Sequence, residues 1–273
     1  MPLRLGPSVW RMLGVKLLGG TFMTEIQDPR EFFSKHHQAY VTSARHARGH
    51  DLDLLISGLV PRAGEKGLDV ATGGGHTAIR LARAGVQVTV ADITSEMLTD
   101  AATLAAAEGL AIAQVEAYAE SLPFLDGTFD IVTCRRAAHH FRDVAAFLRE
   151  ARRTLSRSGR LGISDMTGSL QGIEWLNRLE RLRDPSHHRA LAPDVWYEML
   201  VAAGFSNITL LLNEEPMSFD QWLSPVTADS EDGARALAYL GQNPPPEFVR
   251  GSTFIKRRVL IWADREAAPQ SSC

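Results

Sequence analysis

The sequence predicts an α/β fold: a seven-stranded, mainly parallel sheet with an antiparallel edge strand, plus helical insertions above the strand ends. Three observations carry this expectation. Short apolar runs alternate with amphipathic helix patterns over residues 66–165. The first run, Leu68-Asp69-Val70, empties into Gly73-Gly74-Gly75 and then directly into a helix pattern with Ile79, Leu81 and Ala82. The last two runs have no long helical crossover between them, so they should close the sheet as an antiparallel pair.

The elements follow in chain order. Residues 32–58 carry a helical pattern, with Tyr40, His46 and Leu54 along it. Strands are expected at residues 67–71, 86–92 and 111–116. The turn pair Asp126-Gly127 precedes a fourth strand at 129–134. Val144, Phe147, Leu148, Ala151 and Leu155 fall on one helix face. A fifth strand is expected at 160–165. Trp196, Met199, Leu200 and Ala203 mark a further amphipathic helix that Gly204 ends. Residues 207–212 and 253–263 read as the sixth and seventh strands.

Two segments exceed a minimal Rossmann-like fold, residues 168–193 and 214–252. The second is broken by Pro216, Pro225, Pro244, Pro245 and Pro246. Open α/β sheets bind ligands outside the carboxyl ends of their strands. The two insertions are therefore expected as substrate lids, or else as packing helices or a dimer contact. The chain is expected to be one domain over 25–265, with its core at 60–165. A weakly ordered extension at 1–24 and a tail at 266–273 complete it.

The chemistry starts at the glycine triplet. Glycines let the backbone turn tightly and approach a ligand with no side chain in the way. The helix that follows points its free N–H groups at that ligand. Gly73-x-Gly75-x-x-Ala78 fits the loose dinucleotide fingerprint. Asp69 argues for another ligand. A pyrophosphate repels a carboxylate at this turn, whereas the ammonium and sulfonium of S-adenosylmethionine welcome one. The bland alternative for Asp69 is a strand-end acid bonded to loop N–H groups. Asp92 closes the second strand, where a carboxylate can accept both ribose hydroxyls. Ile93 can pack on the adenine face. Asp92 could equally be only a helix cap, beside Thr94 and Ser95.

Ala119-Glu120-Ser121-Leu122-Pro123-Phe124 and Phe129-Asp130-Ile131-Val132 complete the order. Together these motifs resemble the class I S-adenosylmethionine-dependent methyltransferases, within them the ubiquinone/menaquinone C-methyltransferase-like (type 11) group. The resemblance covers residues 66–165. It implies a cofactor site of Tyr40, Asp69, Ala71, Gly73, Gly75, Asp92, Ile93, Tyr118, Ala119, Glu120 and Arg135. Tyr118 stands where the family usually carries an acid for the adenine amino group. By the same resemblance, the backbone near Cys134 or Arg135 should meet the methionine ammonium. His139 and His140, just past the fourth strand, and His187 in the first insertion are candidate catalytic residues beside the acceptor. An imidazole there can take a proton near neutral pH. His188, Arg183 and Asp184 belong to the same polar cluster. His36 and His37 read as solvated helix residues. A packed, backbone-bonded histidine pair is the competing reading of His139 and His140.

Composition narrows the classes. The chain has 273 residues, 45% hydrophobic and 22% charged, with a formal net charge of −3. That balance leaves no electrostatic footprint for nucleic acid. Two cysteines, Cys134 and Cys273, support neither a disulfide framework nor a metal site, and suit a cytoplasmic protein. The apolar stretch at 12–20 is interrupted by Lys16 and is too short to span a bilayer. The expected function is methyl transfer to a small-molecule acceptor at carbon, oxygen or nitrogen, in a monomer or homodimer. The alternatives are a nicotinamide-dependent oxidoreductase and a non-catalytic cofactor-binding protein.

Overall fold

The computed structural model describes residues 28–41, 47 and 49–265. Residues 1–24 and 266–273, with Cys273, His46 and Met12, lie outside that description. Helices α1 (Pro29–Val41) and α2 (His50–Leu59) precede β1 (Lys66–Val70). Then come α3 (His76–Arg83), β2 (Gln87–Asp92), α4 (Ser95–Ala107), β3 (Ile112–Glu116) and β4 (Phe129–Arg135). A 3-10 turn, Ala138–His140, leads to α5 (Val144–Thr154) and β5 (Leu155–Met166). The remainder is α6 (Ile173–Arg183), α7 (Pro193–Ala202), β6 (Phe205–Ser218), α8 (Phe219–Leu223), α9 (Glu231–Leu240), β7 (Val249–Arg250) and β8 (Thr253–Arg265).

The strand order is β3-β2-β1-β4-β5-β8-β6, with β7 paired to β8. The first five strands are mutually parallel. β8 runs antiparallel to both β5 and β6. The antiparallel strand therefore sits one place in from the edge, and β6 forms the edge itself. Gly204, at φ +86°, turns the chain from α7 into β6. β8 then returns into the gap between β5 and β6.

Period-two alternation in the strands builds a core on each face. Leu68, Val70, Val132 and Ile163 pack with Phe147 and Leu148 of α5 and Trp196 and Leu200 of α7. Val88, Val90 and Ile131 pack with Leu55 and Leu59 of α2 and Leu81 of α3. Burying a side chain such as Phe147 or Leu68 contributes about 1.5–3 kcal/mol.

Three expectations change. Among the described residues, the predicted helix over 32–58 is broken before His50, where Gly49 is extended at φ −65°, ψ 136°. β6 continues to Ser218 and draws the start of the second insertion into the sheet. The insertions are not lids. Ile173, Leu176 and Leu179 of α6, Trp222 and Leu223 of α8 and Ala236 and Leu240 of α9 turn inward on Met166, Met217 and Phe254. They bury their apolar faces in a third core beyond the sheet, and none of their residues lines the main cavity.

Candidate cofactor and acceptor site

The turn after β1 is built on left-handed backbone. Ala71 and Gly73 each have φ +52° and Gly75 has φ +79°. A Cβ on Gly75 would come 2.7 Å from the Ala101 Cβ and 2.9 Å from its Cα. Gly75 thus lets α3 start hard against α4. A Cβ on Gly73 would meet nothing within 4 Å. This glycine faces open space, where a ligand can reach its backbone.

That space is a cavity of about 480 Å³. Ala71, Thr72, Gly73, Gly74, Asp92 and Ile93 line it on the β1–β2 side, and Tyr118, Ala119 and Glu120 beyond them. Phe33 of α1, Arg135, Arg136, Ala137 and His140 line the other side. Asp92 accepts from the Gly73 N–H and the Thr94 N–H, both at 3.0 Å. One acid thereby ties the glycine turn to the end of β2. Burial raises its pKa.

Asp69 is one layer lower. It is 1% exposed and does not line the cavity. Its two oxygens accept from the hydroxyls of Thr72 at 2.6 Å and Thr133 at 2.7 Å. Burial pushes its carboxyl up to about 6, against those two bonds.

Two expected adenine contacts have protein partners. The Tyr118 hydroxyl is hydrogen-bonded by Arg30, whose guanidinium lies 5.2 Å over the ring. Glu120 accepts from the N–H groups of Arg142 at 3.0 Å and Asp143 at 3.4 Å, just before α5. Its role is partly to hold that loop. Tyr40 lies on α1, but its side chain is outside the described residues. His37 is not a solvated residue: its Nδ1 lies 2.5 Å from Asp100 of α4. The side chain of His36 is outside the description.

The acceptor side differs most from expectation. The Arg135 side chain is engaged by the protein itself. It grips Asp51 of α2 through Nε at 2.8 Å and Nη2 at 2.9 Å. Arg136 grips the same carboxylate at 3.1 and 2.6 Å, and Ser164 donates to it at 3.0 Å. Against the burial penalty, Arg136 and Arg135 hold the Asp51 carboxyl well below the usual range.

The three histidines come together but do not share a role. His139 Nδ1 lies 2.5 Å from Asp165, and its N–H donates to the same acid at 2.8 Å. Burial, then His140 and Lys256, pull its pKa well down, and the side chain does not line the cavity. His187 is 1% exposed and its Nε2 bonds Asn177 at 2.8 Å. It backs His139 at 5.4 Å between ring centres and does not line the cavity. Only His140 of the three lines it. Phe33 meets its ring edge-on at 4.9 Å.

A model of the methyltransferase domain matches residues 68–163. An uncharacterized methyltransferase of Bacillus subtilis (strain 168), YcgJ, is 36% identical over 194 residues, 70% of this chain and 77% of that protein. The chain belongs to the methyltransferase family. The crystal structure of YcgJ matches this methyltransferase with a TM-score of 0.74 at 29% identity, covering 80% of this chain and 99% of that one. A putative methyltransferase from Bacillus halodurans C-125 matches with a TM-score of 0.73 at 32% identity, covering 80% and 100%. The protein is an S-adenosylmethionine-dependent methyltransferase of Rossmann-like fold. Its own geometry fits the cofactor: an open cradle at Gly73 lies beside an acid, Asp92, that can take ribose hydroxyls.

Sequence reasoning missed Asp51, Arg136 and Asp165. Asp51 carried a signal. It shares a helix face with Leu55 and Leu59, four and eight residues on, and an acid on an apolar stripe needs a buried partner. Among the described helices, none is long and apolar enough to cross a membrane.

Proposed function

We propose that this methyltransferase methylates a small molecule bound between Phe33 and the turn that follows β4, with His140 as the base. The reading rests on one observation: a single cavity runs from Gly73 and Asp92 to His140. In this reading Asp92 takes the ribose hydroxyls and the Gly73 backbone lies against the cofactor. Ile93, Tyr118 and Ala119 border the adenine. Asp69 contributes negative charge from beneath Thr72.

The bound cofactor supplies an activated methyl group for in-line displacement. The chain's residues position the acceptor and remove its proton. His140 Nδ1 lies 3.0 Å from the Ser186 carbonyl. A carbonyl only accepts, so Nδ1 carries the proton and Nε2 keeps its lone pair. Asp184 lies 4.0 Å from Nε2. Its carboxylate is held in turn by Ser186, whose hydroxyl donates at 2.6 Å and N–H at 3.0 Å. A cytoplasmic location and the absence of nucleic-acid partners complete the reading, on composition and charge alone.

Calorimetry with S-adenosylhomocysteine and NAD tests the cofactor half. The expected result is binding of the first only; the reverse rejects it. For the base, labelled cofactor is assayed against a panel of phenols, amines and carboxylic acids. His140→Gln is expected to keep its affinity for S-adenosylhomocysteine and to lose roughly 100-fold or more in turnover. Full turnover in a folded variant removes His140 from the chemistry.

A further inference from the structure

The first insertion reaches the turn that carries His140. The N–H groups of His188 and Arg189 both donate to the His139 carbonyl, at 2.9 and 2.8 Å. They pin the 3-10 turn Ala138–His140 to the loop that follows α6. The Ser186 carbonyl faces His140 Nδ1 at 3.0 Å, and the Ser186 hydroxyl faces the same nitrogen at 3.1 Å. The loop is itself anchored in the third core. The Asp184 N–H donates to the Glu180 carbonyl in the last turn of α6 at 2.7 Å, and the Asp184 carbonyl accepts from the His187 N–H at 2.9 Å.

A neutral imidazole has one N–H and one lone pair, and only the nitrogen with the lone pair can act as a base. The Ser186 carbonyl can only accept. The Ser186 hydroxyl can accept or donate, but it has a single proton. Asp184 engages that proton. Ser186 Oγ donates to Asp184 Oδ1 at 2.6 Å, and the Ser186 N–H donates to the same oxygen at 3.0 Å. A hydroxyl at this distance from a carboxylate makes a charge-assisted bond, roughly twice as strong as a neutral bond to the nitrogen at 3.1 Å. Ser186 is fully buried and Asp184 is 2% exposed, so bulk water does not compete for the proton. Both Ser186 oxygens therefore face Nδ1 as acceptors, and the imidazole proton belongs there. Nε2 donates to none of the described residues, because Asp184 at 4.0 Å is beyond hydrogen-bond reach.

We propose that Asp184 is a positioning residue: by holding the Ser186 hydroxyl, it fixes His140 with its proton on Nδ1 and its lone pair on Nε2. The inference rests on the reading of His140 as the base. It gives the first insertion a task other than that of a lid. The third core carries the loop, the loop orients the carboxylate, and the carboxylate sets the tautomer of a side chain at the cavity wall. Free histidine in water prefers the opposite form, with the proton on Nε2, so the useful tautomer has to be imposed.

The test is the 15N signature of His140 in the full chain with labelled histidine, at about pH 8.5, above the ordinary histidine range. His140→Gln assigns the signals, and protonated and bare ring nitrogens are well separated in shift. The wild type is expected to show a protonated Nδ1 and a bare Nε2; the reverse overturns the proposal. Asp184→Ala frees the hydroxyl to donate to Nδ1, and both nitrogens are expected to shift toward the reversed form. Asp184→Leu, closer in volume, serves where the smaller side chain does not fold. Asp184→Asn still offers an acceptor to the hydroxyl and is expected to keep the wild-type signature. The double variant Asp184→Ala/Ser186→Ala removes the hydroxyl, leaves the carbonyl, and is expected to restore it. An unchanged signature in Asp184→Ala, or no restoration in the folded double variant, means that Asp184 only supports the loop, and the proposal fails. Circular dichroism and the melting temperature check that each variant is folded. Turnover is expected to follow the signature, down roughly tenfold or more in Asp184→Ala and recovered in the double variant. If His140→Gln keeps full turnover, the base reading beneath fails, whereas the tautomer result stands by itself.

Discussion

The two sides of the cavity are built in opposite ways. On the cofactor side, the key bond joins Gly73 to Asp92, 19 residues apart, and one partner is backbone. Asp69 reaches Thr72 three residues on. On the acceptor side, Arg135 reaches Asp51 across 84 residues and Ser164 reaches it across 113, side chain to side chain. The first construction needs two neighbouring strands, a turn and a helix in sequence, with one side-chain bond, from Thr133 to Asp69, crossing to β4. The second exists only after α2, β4, β5 and β8 have packed.

Removing a charge on each side exposes the contrast. Asp51→Ala leaves two buried guanidiniums without their shared acid. It is expected to destabilise the fold by about 3–5 kcal/mol, read by urea denaturation. A loss below about 1 kcal/mol means that the pair is not structural. Asp92→Ala should act mainly on binding. A loss of about 2–4 kcal/mol in affinity for S-adenosylhomocysteine is expected by calorimetry, with a folded protein. Unchanged binding in that variant ends the ribose assignment and with it the contrast.

The smallest effect concerns pH. Burial favours the neutral acid at Asp69, so the group holds a proton below about 6. Ionisation in the folded state is penalised, so this residue favours the fold most below the ordinary aspartate pKa. That contribution fades as pH rises from near 4 to about 6. The ammonium of a ligand bound above it reverses the preference and favours the carboxylate. Affinity for S-adenosylhomocysteine should therefore rise between pH 5 and 7 by about tenfold, or about 1.4 kcal/mol, and level off above. Asp69→Asn should flatten the profile. A flat wild-type profile means that the acid beneath Thr72 does not sense the ligand.

The sequence by itself determined the α/β class, the cofactor family, the glycine turn and the two strand-end acids. Those features are short-range, and a strand, a glycine turn and a helix leave a readable period and composition. It also placed His140 at the main cavity, because the residues after β4 stand next to the turn after β1 in any parallel sheet of this order. The tertiary structure alone decided which histidine lines the cavity. Adjacent residues in a 3-10 turn point in different directions, and Asp165 holds His139 inward while Ser186 steadies His140 at the wall. It alone moved β8 inside the edge and drew the insertions into a core of their own. Only packing could show that Arg135 and Arg136 share Asp51, since a charged pair separated by 84 residues leaves no period, spacing or composition to read.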